Sequence, residues 1–212
     1  MTRIFLVSLI PLRPEGPSGP PSERSDAARN RERLLQAARE LVAEHGVDAL
    51  TMDMLACRAQ VGKGTVFRRF GNRAGLMMTL LSDAEAEFQQ RFIFGPPPLG
   101  PGAPPEERLI AFGEARIRYI DENGELARAA EHSPHNRHAA PPALLWHRHV
   151  ELLLREAGVE GDPWVMASFL LAALDPERVL YALRTQGIEV ARIEAGWREF
   201  AGRLLGCPPH AG

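Results

Sequence analysis

Residues 51–70, TMDMLACRAQVGKGTVFRRF, limit what the rest of this chain can be. Thr51 is a good helix N-cap, and Asp53 puts a negative charge in the first turn of a helix reaching about Ala59. Met54, Leu55 and Ala59 give that helix an apolar side, and Ala56 is small enough for another helix to lie close. Gln60, Val61 and Gly62 break it, and Gly62 and Gly64 are expected to supply the freedom of a sharp turn. A second helix follows from Lys63 to Arg69. Val66, Phe67 and Phe70 mark its inner side, and Lys63, Thr65, Arg68 and Arg69 point elsewhere. Helix, short turn and basic-faced helix make a helix-turn-helix, whose second helix fits the DNA major groove. A plain αα-hairpin in a helical protein is the other reading of the same pattern.

Composition and charge bear on that choice. Val/Ile/Thr-rich alternating runs are missing, and Ala, Leu, Glu and Arg dominate, so the fold class is all-α. Net charge is only −2, but it is unevenly spread. Residues 1–75 hold 12 Arg/Lys and 8 Asp/Glu, which is +4, and residues 76–212 hold 13 and 19, which is −6. A basic first third on an acidic body suits a DNA reader carried by a part that does not touch DNA. Lys63, the single lysine, opens the second helix. Cys57 and Cys207 have no metal or redox spacing and suit a reducing cytosol.

Along the chain, residues 1–24 read as a disordered arm. The apolar run Ile4 to Ile10 is too short to span a membrane. A helix opens at Ser25 or Asp26 and runs to Glu44 before Gly46, with Arg29 and Arg33 able to touch phosphate and Arg24 in an arm that could do the same. Asn72 or Arg73 starts a further helix reaching Phe94, and residues 95–105, GPPPLGPGAPP, form a loop. The helix from Glu106 is apolar on more than one side and is expected to end near Asn123-Gly124, before a short helix from Glu125 to Glu131. Ala143 to Ala157 is helical. Asp162-Pro163 and Asp175-Pro176 each carry a cap-plus-proline start. The last helix, from Glu189 to Leu205, repeats Val190, Ile193, Trp197, Phe200 and Leu204 like a seam against a partner helix.

At this point the chain is identified as resembling the TetR family of bacterial transcriptional regulators. The matching residues are Leu34 to Val42 with Gly46, Thr51, Met54, Ala56, Ala59, Val61, Gly64, Thr65, Val66, Phe67, Phe70 and the Asn72-Arg73 pair, within residues 26–80. The family usually has Gly at Gln60, Ser at Gly62, Tyr at Phe67, His at Arg69 and Lys at Arg73. The resemblance implies about nine helices. Residues 25–72 would be the helix-turn-helix domain, residues 73–206 a helical regulatory and dimerisation domain, and residues 207–212 a tail. It implies a cytoplasmic homodimer, with no cofactor and no membrane, on a pseudo-palindromic operator in double-stranded DNA. The usual action in the family is repression released by a small hydrophobic effector. Thr51, Gly62, Lys63, Thr65, Phe67, Arg68, Arg69 and Arg73 are the DNA-binding candidates. Phe112, Tyr119, Trp146, His147, Met166 and Phe169, aromatic or soft apolar groups with a few polar tips, are the effector candidates. In the family the last two helices form the dimer interface, which here selects Val179, Leu183, Ile193, Trp197, Phe200 and Leu204. On that reading Trp197→Glu breaks the dimer.

Two other functions stay open at this stage. One is non-specific DNA binding, disfavoured by the weak overall charge. The other is a helical metal-dependent hydrolase using His132, His135, His138, His147 and His149. Pro134 interrupts that spacing, no metal motif accompanies it, and no metal site is expected.

Overall fold

Four polar side chains stand where the sequence asks helices to begin, and each bonds the amides it faces. Thr51 Oγ1 accepts from the Met54 amide at 3.2 Å, and Asn72 Oδ1 from the Gly75 amide at 2.9 Å. Asp162 accepts from the Trp164 and Val165 amides, and Asp175 from those of Glu177 and Arg178. The computed structural model describes residues 21–129 and 141–206. Its helices are α1 (Pro21–His45), α2 (Met52–Arg58), α3 (Lys63–Phe70), α4 (Arg73–Phe94), α5 (Pro105–Ala129), α6 (Pro141–Glu156), α7 (Pro163–Ala173), α8 (Pro176–Leu180) and α9 (Val190–Leu204). A π-helical turn, Tyr181–Thr185, continues α8. No strand occurs among the described residues, and the fold is all-α.

Two sequence expectations fail here. Helix α1 begins at Pro21, earlier than the Ser25 or Asp26 cap. Helix α5 runs unbroken through Asn123-Gly124, so no separate short helix begins at Glu125. Asn123 turns its side-chain amide back to the Tyr119 carbonyl inside the helix. Gly124 is buried because Leu180 of α8 lies against it: a Cβ at that position would stand 2.5 Å from the leucine Cδ1. A glycine that reads as a stop is there for close approach.

The helices enclose two apolar clusters. The first joins Leu34, Leu35, Ala38 and Leu41 of α1 to Leu50, Leu55, Val66, Phe70, and Leu76, Met77 and Leu80 of α4, with Leu126 of α5. The second gathers Phe88 and Phe92 of α4, Phe112, Ile117 and Ile120 of α5, Leu153 and Leu154 of α6, Leu170 of α7 and Trp197 of α9. Each fully buried leucine or phenylalanine contributes about 1.5–3 kcal/mol. Helices α4 and α5 contribute to both, α4 with the larger share of the first.

The expected seam on α9 is largely an internal surface. Trp197 is only 4% exposed, its Nε1 donates to the Ile110 carbonyl at 3.0 Å, and its ring lies over Gly113 of α5. Val179 is buried too, and Leu183 and Ile193 pack partly buried on the same cluster. Trp197 and Val179 are therefore removed from the dimer surface. An apolar stripe fixes which side of a helix is covered, but not whether the cover belongs to the same chain. Trp197→Glu places a charge in the protomer core and tests folding rather than association.

Gly113 is the cradle that this arrangement needs, since a methyl group there would overlap the indole. Gly113→Ala is expected to cost about 1–3 kcal/mol of stability through overpacking, read from the urea midpoint. An unchanged midpoint would mean that the indole does not rest on α5.

Candidate nucleic-acid interface

The α2–α3 turn is not built by the glycines that the sequence suggested. Gly62 has φ −67° and simply precedes α3, and Gly64 is helical. The left-handed residue is Gln60, at φ +54°. Its amide donates to the Cys57 carbonyl, and the Val61 amide to the Ala56 carbonyl. A non-glycine residue in this region costs about 1–2 kcal/mol, which the surrounding packing sustains.

Helix α3 is anchored by Val66 and Phe70, both buried. Phe67, assigned above to the inner side, is 46% exposed and shares the solvent face with Lys63, Arg68 and Arg69, while Thr65 is half-buried. Lys63 Nζ sits 2.6 Å from Asp53 Oδ2 on α2. Both groups are well exposed, so the pair is weak and its ammonium can transfer to a phosphate. Arg58 is held on Glu44, whose carboxyl the guanidinium keeps below its usual range. Arg29 and Arg33 are exposed on α1, whereas the side chain of Arg24 lies outside the described residues.

Arg73 behaves differently from the other basic candidates. Its Nε donates to the Leu50 carbonyl at 3.0 Å and its Nη2 to the Val47 carbonyl at 2.6 Å. These bonds fasten the α1–α2 loop to the start of α4 and hold the Thr51 cap in place. Sequence reasoning could see a donor at 73 but not the carbonyls that use it. Helix α4 is tied to α1 a second time: Asp83 accepts from Arg31 at 2.9 Å and pairs with Arg39 at 3.5 Å.

The six effector candidates do not share one site. Phe112, Tyr119 and Trp146 converge on the α4–α5–α6 interior. Phe112 meets Phe88, Phe92 and His149, with ring centroids 5.2–5.7 Å apart, and Tyr119 stacks on Phe88 at 5.1 Å. Trp146 Nε1 donates to Glu85 Oε1 at 2.9 Å, and the Arg116 guanidinium lies 3.9 Å over its indole. His147 instead joins α6 to α7, with Nε2 2.9 Å from Ser168 Oγ and 3.1 Å from the Trp164 carbonyl. Met166 and Phe169 open onto the surface, where with Val165, Phe200 and Leu204 they line a groove of about 340 Å³. Two effector candidates and two dimer candidates thus share one apolar face.

Sequence reasoning missed the buried Glu85 and Arg116 of the interior, and met the buried His149 only as a metal-ligand candidate. The available signal was a charged residue inside the apolar stripe of α4. Burial pushes the Glu85 carboxyl up and holds the Arg116 guanidinium down to about 10. Burial and the nearby Glu85 raise the Tyr119 hydroxyl. His149, packed on Phe92 and facing Arg108, is lowered by burial to about 4 and stays neutral. His132, His135, His138 and Cys207 lie outside the described residues. Among the described residues no group of three His, Cys, Asp or Glu could hold a metal, and no helix is long and apolar enough to cross a membrane.

Gln60→Gly relieves the left-handed strain and is expected to stabilise the protein by about 1 kcal/mol, whereas Arg73→Ala costs about 1–3 kcal/mol, both read by chemical denaturation. Unchanged stability in Arg73→Ala would return this residue to the DNA-contact list. The unfolded state protonates His149 near 6.5 and the folded state only near 4, so its contribution to stability is lost as pH falls through that window. His149→Leu should flatten the dependence of stability on pH between those values; an unaltered slope would place the cause elsewhere.

Residues 34–78 match the family model of the bacterial regulatory proteins, tetR family. An uncharacterized HTH-type transcriptional regulator of Bacillus subtilis, YdeS, is 42% identical over 45 residues, covering 21% of this chain and 23% of that protein's length. Among solved structures, the multidrug binding protein EbrR complexed with imidazole is 26% identical with a TM-score of 0.59, covering 93% of this chain and all of that one. SmeT, the repressor of the Stenotrophomonas maltophilia multidrug efflux pump SmeDEF, is 22% identical with a TM-score of 0.57, covering 82% of this chain and 88% of its own. A transcriptional regulator from Rhodococcus sp. reaches a TM-score of 0.63 at 20% identity, covering 82% of this chain and 95% of its own.

Proposed function

We propose that this chain, whose residues 34–78 match the family model of the bacterial regulatory proteins, tetR family, is a DNA-binding transcriptional regulator and acts as a homodimeric repressor. Its target would be a pseudo-palindromic operator in duplex DNA, and a small, largely hydrophobic effector would release it. The observation that carries the DNA reading is the solvent face of α3. Lys63, Phe67, Arg68 and Arg69 stand on a helix whose opposite side is fixed by Val66 and Phe70. Arginine at that place can take a guanine edge bidentately, and lysine takes phosphate. In this division residues 25–72 read DNA and residues 73–206 regulate and dimerise. The effector part is supported by the names of two similar proteins, a multidrug binding protein and the repressor of a multidrug efflux pump.

The dimer face fits best on α7 and α9. Phe169 and Phe200 are 68% and 49% exposed there, beside Met166 and Leu204. Aromatic groups this exposed on one face suit burial against a second copy. A two-fold dimer carries two α3 helices at a set separation, as half-sites one helical turn apart require. An effector that prefers one arrangement of α4 changes that separation, because α4 belongs to both apolar clusters.

Selection from a random pool of duplex DNA should return a two-fold symmetric motif, and retention without a motif would favour non-specific binding. On the selected operator at fixed salt, Arg69→Ala is expected to weaken binding by about 1–3 kcal/mol. Full affinity would remove Arg69 from the contacts. Phe169→Glu should give monomers in sedimentation with the helix content intact, and a persistent dimer would move the interface elsewhere.

A further inference from the structure

Deep in the body, on α5, Arg116 is an arginine with only 4% of its surface exposed. Its Nε and Nη1 are buried without a hydrogen-bond partner. Glu85 and Asp175 are near enough to be felt as charges, but neither takes a hydrogen bond from those two nitrogens. The carboxylate that could have paired with it is already served by neutral donors: Glu85 Oε1 accepts from Trp146 Nε1 at 2.9 Å and from Gln89 Nε2 at 3.0 Å. The face of the guanidinium rests on the Trp146 indole. The acceptor's demand is met and the donor's is not. A buried cation with unused N–H groups is costly, and the group that satisfies it best is an anion with two oxygens.

We propose that the effector of this regulator is an organic acid, an apolar or aromatic body carrying one carboxylate, and that Arg116 holds that carboxylate beside Trp146 and Tyr119. The inference rests on the reading of the chain as an effector-released regulator. Its body contacts are the rings already gathered there, Phe88 and Tyr119 stacked at 5.1 Å and the half-buried Trp146. The arrangement also supplies a reason for release. A carboxylate on Arg116 of α5 stands against Glu85 of α4, and like charges in a low-dielectric interior repel strongly. Helix α4 is the one that carries Leu76, Met77 and Leu80 into the core of the DNA-binding head. The repulsion therefore acts directly on the helix that sets the head's position. A cationic ligand held by Glu85 is the opposite chemistry, and Arg116 counts against it.

The test is calorimetric titration of the full chain with octanoate and 2-naphthoate, with their neutral amides, and with octylamine, at fixed salt and pH. At least one acid is expected to bind about tenfold or more tightly than its amide. Arg116→Met should abolish that preference. Glu85→Gln, which keeps the acceptor for Trp146 and removes the negative charge, should tighten acid binding several-fold and leave the amides unchanged. Opposite signs in the two variants would not arise from a merely structural role. If Arg116→Met fails to fold by circular dichroism, the sign of the Glu85→Gln effect decides alone. Amides binding as well as acids, acid affinity untouched in a folded Arg116→Met, neither acid binding at millimolar concentration, or octylamine binding lost in Glu85→Gln would each overturn the proposal. Operator retention is measured without these compounds. Failed acid binding with the operator still recognised therefore strikes only this inference, and failed operator recognition strikes the regulator reading.

Discussion

One helix cannot belong to two cores without coupling them, and α4 is in that position. Its first turns bury Leu76, Met77 and Leu80 with the helices that present α3, and its later turns bury Phe88 and Phe92 with α5 and α6. Polar ties reinforce the first attachment, through Asp83 to Arg31 and Arg39 of α1, and through Arg73 to the Val47 and Leu50 carbonyls. Packed cores have discrete arrangements rather than continuous ones. Phe88 and Glu85 sit on the same helix whose earlier turns pack into the head.

The body buries charge beside the later turns of α4. Arg116, Glu85, Tyr119 and Trp146 form a polar knot inside an otherwise aromatic cluster. For stability alone an apolar replacement would serve at least as well, because desolvating charges costs more than partial pairing returns. In the proposal above, the knot is where the effector's carboxylate is held. His149, equally buried among Phe92 and Phe112, stays neutral and adds ring contacts instead of charge.

Much of this was legible in the chain itself. The caps at Thr51, Asn72, Asp162 and Asp175 act locally, between a side chain and amides two or three residues on, so a sequence contains everything needed to place them. The basic face of α3 is local in the same way. Phe67 was misassigned because eight residues give a short helix too few turns to separate an inner from an outer aromatic, and the buried pair turned out to be Val66 and Phe70. Gln60 was missed because glycine is the ordinary marker of a left-handed turn, and two glycines stood close by.

Residues in sequence thus determined the helical class, the four capped helix starts and the identity of the reading head, since those rest on hydrogen bonds and periodicities within a few turns. Tertiary structure alone decided what covers each apolar stripe. It turned Trp197 inward onto Gly113, left Phe169 and Phe200 on the surface, and ran α5 straight through Gly124 because Leu180 needed the space. It also brought Arg116 of α5 to Trp146 of α6, and Trp146 to Glu85 of α4. These contacts join residues tens of positions apart, and no periodicity carries the information about which helix will face which.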